Sequence, residues 1–124
     1  YNLQSLREEA DFTEKQIHVV LEAISKTGQN IIIEGGLDTE NERNAVRKLL
    51  KICGYNPTLV WIQTDINTIK ARLKLKFRSV ARAKEEYDSR IRAMEAPAET
   101  EKPIILSGKH TFDTQLSHVL SQLS

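Results

Sequence analysis

The sequence has 124 residues, 40% hydrophobic and 28% charged, with a net charge of +1; this is an ordinary soluble composition with room for one domain and one core. It has no apolar run near the roughly 18–20 residues that cross a bilayer and no basic-then-apolar segment with a small-residue cleavage site, so neither a membrane partner nor a secretory route is expected. Its single cysteine, Cys53, cannot form an internal disulfide and points to a reducing, cytoplasmic setting, as a small buried hydrophobe rather than a reactive thiol.

Taken in chain order, residues 11–27 predict an amphipathic helix: Ile17, Val20, Leu21 and Ile24 recur at helical spacing, and Gly28 offers a stop. "NIII" at 30–33 reads as a strand buried on both faces, as in parallel sheets, and runs into Glu34, Gly35 and Gly36. Asp38 or Thr39 can cap a second helix, with Ala45, Val46, Leu49, Leu50 and Cys53 on its inner face and Gly54 as its left-handed end.

"TLVWIQT" at 58–64 predicts a second strand, after which Asp65 caps a helix burying Ile66, Ile69 and Leu73, with Leu75 a further candidate. Residues 79–94 are helical by pattern, with Val80, Ala83, Tyr87, Ile91 and Met94 about a turn apart. A loop, "APAETEKP", precedes a short strand "IIL" at 104–106 and a last helix from about Thr111, with Phe112, Leu116, Val119, Leu120 and Leu123 inward. Strands alternating with helices predict an α/β fold in three α-β-α layers around a parallel sheet.

Charge is unevenly placed. Residues 70–92 hold nine basic and three acidic side chains, a local +6, whereas the remainder sums to −5. Such segregation suggests an anionic ligand or partner on one part of the surface. Arg72, Arg78 and Arg82 are spaced to gather guanidinium groups around a phosphate, and a solvated helical face is the plain alternative. Nucleic-acid contact is a weaker option, because only Phe77 and Tyr87 are at hand to stack bases.

Glu34-Gly35-Gly36 would place a carboxylate at the carboxyl end of a parallel strand, where such sheets bind ligands; a plain strand-to-helix turn is the alternative. "SGKHT" at 107–111 is not a phosphate loop, since Pro103 stands where the Walker pattern needs glycine and His110 where it needs Ser or Thr. His18, His110 and His118 have no ligand spacing with one another or with acids, and no metal cluster is predicted.

Three stretches together resemble the P-loop phosphotransferases of the polynucleotide-kinase and zeta-toxin type. "IIIEGGLDTENERNAVRKLLKICGY" is similar to that family's acidic strand end and following helix with an early arginine, here Arg43. "LVWIQTDINTIKARLKLK" is similar to its next strand and helix, and "YDSRIRAMEAP" to the segment closing an arginine-bearing lid, which spans about 70–97 here. The opening "YNLQSLREEA" is similar to the segment after the family's second strand, with Arg7 retained and Gln4 where the polynucleotide-kinase relatives carry a general-base aspartate. Glutamine has no ionisable carboxylate, so that base role would be lost or moved, for instance to Glu34.

The resemblance implies a single partial P-loop NTPase-like domain over 1–124, lacking the family's first strand and its phosphate loop. It implies ATP and Mg²⁺ as cofactors and a kinase-type transfer to an unidentified acceptor. Glu34 would help position Mg²⁺-bound water or the acceptor, and Arg72, Arg78 and Arg82 would neutralise charge on the transferring phosphoryl group. Gln4, Arg7, Gly35, Gly36 and Arg43 would contact the acceptor, with Arg7 and Arg43 orienting it. In the family's strand order the absent strand lies between residues 30–34 and 58–63. Either the chain is completed by a second chain or a preceding segment, or its strand order differs. A degenerate domain that binds an anionic ligand, a nucleic acid or a partner protein without chemistry is the alternative.

Overall fold

A computed structural model describes residues 15–124; Gln4 and Arg7 lie outside them. The fold is mixed α/β, with five helices and a two-stranded parallel sheet among the described residues. Contacts gather into two compact units. One holds the described residues up to Leu37 together with Asn41–Pro57, and the other holds Asp38–Glu40 and Thr58–Ser124.

In the first unit, α1 (residues 15–25 as described) ends as its sequence suggests: Thr27 and Gly28 donate to the carbonyls of Ile24 and Ser25, and Gly28 takes φ +70°. Of its expected inward residues, Leu21 is buried, whereas Ile17 and Val20 are exposed. Helix α2 (Glu40–Ile52) closes with both bonds of a Schellman motif, Tyr55 N–H to Leu50 O and Gly54 N–H to Lys51 O. Gly54 supplies the left-handed residue at φ +87°, a conformation nearly free only for glycine.

The strand expected at 30–34 does not form. Those residues have no strand pairing, and Ile32 is 97% exposed. An extended segment becomes a strand only by donating and accepting along a neighbour. Among the described residues nothing offers that ladder. The apolar run was therefore a wrong sign of strand pairing.

The second unit is built on β1 (Val60–Gln63) and β2 (Ile104–Ser107), parallel and in register from Val60 opposite Ile104 to Gln63 opposite Ser107. The ladder continues past both ends, through Ile104 N–H to Leu59 O and Gly108 N–H to Gln63 O. Between the strands run α3 (Ile66–Phe77) and α4 (Val80–Ala93), packed against each other, followed by a 3₁₀ turn at Glu99–Glu101. Asp65 caps α3 by accepting from the Thr68 amide at 3.1 Å, and Ser79 caps α4 by accepting from Arg82 N–H. Thr111 caps α5 (Phe112–Leu123), which packs on β2.

Burial departs from expectation along α5 and α4. Phe112 is 74% exposed, and Leu116, Leu120 and Leu123 are also exposed, as are Val80, Ile91 and Met94. A helix is about 10 Å across and strands lie about 4.8 Å apart. Two strands are therefore too narrow to cover the apolar stripes of the helices beside them. What core there is in this unit centres on Ala83, Ile104 and Leu106.

Candidate functional site

The carboxyl ends of β1 and β2 bring together the residues that follow each strand. After β1 come Thr64 and Asp65; after β2 come Gly108 and Lys109. Ligands of parallel sheets bind at this edge because strand ends there leave polar groups and helix beginnings facing one crevice. The Lys109 ammonium lies 3.2 Å from the Asp65 carboxylate, tying the two loops across the sheet. From α3, the Arg72 guanidinium reaches the Gly108 carbonyl at 3.4 Å. Two exposed cations thus flank one glycine.

Gly108 is where it is for space. A Cβ there would overlap the Thr64 hydroxyl oxygen and come within 3.1 Å of Thr64 Cβ, and its own amide is already bonded to Gln63 O. The loop after it is held from within. Lys109 N–H and His110 N–H donate to the Ser107 hydroxyl and carbonyl, and the Gln115 amide group reaches back to Ser107 O at 2.8 Å. Such a loop presents Lys109 on a fixed support.

Asp65 carries the clearest electrostatic signature. The Thr68 hydroxyl and amide, and then Lys109, hold its carboxyl well below the usual carboxylate range. A carboxylate stabilised in this way is a poor proton acceptor and a good anchor.

The other predicted residues are dispersed. Glu34 is exposed in the unpaired segment, and Gly35 and Gly36 take φ +85° and +62°, with nothing near where a side chain would sit. Those glycines serve backbone conformation rather than close approach. Arg43, expected to orient an acceptor, is 4% exposed, and its guanidinium donates to Leu37 O at 3.1 Å, so it secures the turn that follows them. Arg78 is the left-handed C-cap of α3 at φ +51°, and Arg82 lies in the first turn of α4. They belong to the helical hairpin, while Arg72 alone of the three is brought to the sheet edge. Gln4 and Arg7 are not among the described residues.

Asp65 and Lys109 were the residues that sequence reasoning missed as a site. The signal was present: "LVWIQTD" and "IILSGK" each end an apolar run in a charged residue, as "NIIIE" does at Glu34. Apart from this edge, a shallow cavity of about 540 Å³ in the first unit is lined by His18, Glu22, Lys26 and Cys53, with Lys26 and Glu22 paired at 3.8 Å. Among the described residues no cluster of three His, Cys, Asp or Glu could hold a metal ion, and no helix is long and apolar enough to cross a membrane.

No protein-family model matches the sequence, and neither a curated protein nor a solved structure matches it significantly.

Proposed function

We propose that the chain recognises a phosphate-bearing ligand at the carboxyl edge of β1 and β2, as the acceptor-and-lid portion of a phosphotransferase of the P-loop kinase type. The observation that carries this reading is that two exposed cations belong to one strand-end loop, Arg72 through its bond to Gly108 O and Lys109 as the next residue, held against Asp65. Guanidinium and ammonium groups at a parallel-sheet edge neutralise charge on a phosphoryl group, which is most of what such catalysis needs. The α3–α4 hairpin takes the place of the lid. The sequence contains no G-x-x-x-x-G-K-[ST] loop. In this reading ATP and Mg²⁺ are held by a further segment or a second chain pairing along the edge of β1 that is unpaired among the described residues.

A second reading is anion binding without chemistry. The one acid at the edge, Asp65, has both oxygens engaged by Thr68 and Lys109, which suits it to support and not to proton abstraction. Gln4, in place of the family's aspartate, favours the same reading.

Calorimetric titration with pyrophosphate tests the shared part of both. Two charge-assisted hydrogen-bonding contacts of about 2 kcal/mol each correspond to a Kd on the order of 1 mM. The wild-type chain is expected to bind at that level, and the Arg72→Ala, Lys109→Ala double variant to lose it. Equal heats from both proteins would dismiss the site. ATP turnover separates the two readings once a completing segment is supplied, and none is expected from the 124-residue chain alone.

A further inference from the structure

We propose that the α3–α4 hairpin is a docking surface for the phosphate backbone of a nucleic acid. Residues 66–84 carry Lys70, Arg72, Lys74, Lys76, Arg78, Arg82 and Lys84 and no acid at all. Among the described residues none of these seven forms an ion pair, although Glu85, Glu86 and Asp88 follow directly on α4. Glu86 pairs instead with Arg90, further along its own helix, at 2.7 Å. Only Lys70 of the seven is partly buried, resting over the Tyr87 ring. Like charges held this close destabilise a free hairpin, so their uncompensated accumulation favours an external counter-charge.

The distribution selects a polymer. Helix α3 is about 18 Å long by its rise per residue. At about 100° per residue, Lys70 and Lys74 share one flank of its packed Ile69–Leu73–Phe77 stripe, while Arg72 and Lys76 share the other. A lone phosphate can engage two or three such groups; a duplex presents one charge per roughly 1.7 Å and can meet more of them at once. Arg78 extends the row around the turn, in a left-handed backbone conformation that glycine would adopt at less cost. An anionic lipid surface fits less well. Helices that lie in a headgroup layer separate an apolar face from a basic one. Here the cations stand on both flanks, and the exposed Leu75, at 81%, is the lone large apolar residue of its outer face.

Apart from Arg72, which also reaches Gly108 O at the sheet edge, the surface is separate from that edge, and its test uses residues that take no part there. The probe is a fluorescein-labelled 20-base-pair duplex followed by anisotropy over a salt series. A slope of log K on log [salt] of about −4 is expected, equivalent to four or five phosphates neutralised. The variant Lys74→Gln, Lys76→Gln, Lys84→Gln replaces exposed helical residues with a good helix former. It should reduce the slope by about 2.7, three phosphates' worth, keep the wild-type circular dichroism, and bind pyrophosphate as before. Absent or salt-insensitive binding overturns the proposal, as does an unchanged slope in the triple variant. Displacement of the duplex by phosphatidylserine vesicles at equal salt, lost on Leu75→Ser, would assign the surface to lipid and overturn it equally.

Discussion

At the scale of the residue, Gly108 and Asp65 show how the sheet edge is held. Gly108 has no left-handed conformation to explain it, so its identity is a matter of contact with Thr64. Replacing it with alanine forces the two loops apart at the end of the ladder, and overpacking of this kind costs about 1–3 kcal/mol. Urea denaturation of Gly108→Ala should show that loss, and adding Thr64→Ala should recover part of it. Asp65 makes stability depend on acid. Its folded-state pKa lies below the ordinary value of 3.8, so the unfolded chain takes up the proton first as pH falls. The contribution is whole above that ordinary value and is lost progressively below it. Asp65→Asn should therefore be less stable at neutral pH and should lose less further stability than the wild type between about pH 5 and pH 2; parallel pH profiles for the two proteins would contradict this. The capping role of Asp65 was legible from an acid preceding an apolar-periodic run. Its partner Lys109 was not, because only the parallel register of two strands, Val60 opposite Ile104, brings together residues 44 positions apart.

At the scale of the element, helix ends were the most readable feature. Gly28, Gly54, Asp65 and Thr111 each stop or start a helix where local chemistry said they would, because a cap is decided by two or three neighbouring residues. The strand at 30–34 was misread for the complementary reason: pairing depends on a distant partner that local propensity cannot report. Between α3 and α4 the turn runs through Arg78 at φ +51°. A non-glycine residue in that region costs about 1–2 kcal/mol. Arg78→Gly should accordingly raise thermal stability while weakening duplex binding, an opposition that a purely structural arginine would not produce. If stability falls instead, the left-handed turn is held by contacts of the arginine itself.

At the scale of the molecule, each unit is small and its apolar surface is incompletely covered. Among the described residues β1 is paired on one side only, and Val60, Ile62 and Ile105 remain exposed on a two-stranded sheet. Parallel strands are ordinarily covered on both faces, and two strands alone are marginal. A further strand along β1 would widen the sheet enough to shelter the helices beside it, which is the arrangement the phosphotransferase reading requires. The α/β character was evident from the alternation of elements. The extent of the sheet was not, since strand count in a packed sheet is fixed by pairing and not by apolar runs.

The central claim is that Arg72 and Lys109 hold a phosphate at the carboxyl edge of β1 and β2. Amide chemical shifts recorded during a pyrophosphate titration of the ¹⁵N-labelled chain test it most directly. Saturable shifts are predicted for Thr64, Asp65 and residues 107–111, with the Arg72 side chain, and their disappearance in the Arg72→Ala, Lys109→Ala double variant. Shifts confined to the α3–α4 turn, or persisting at residues 107–111 in the double variant, would contradict it.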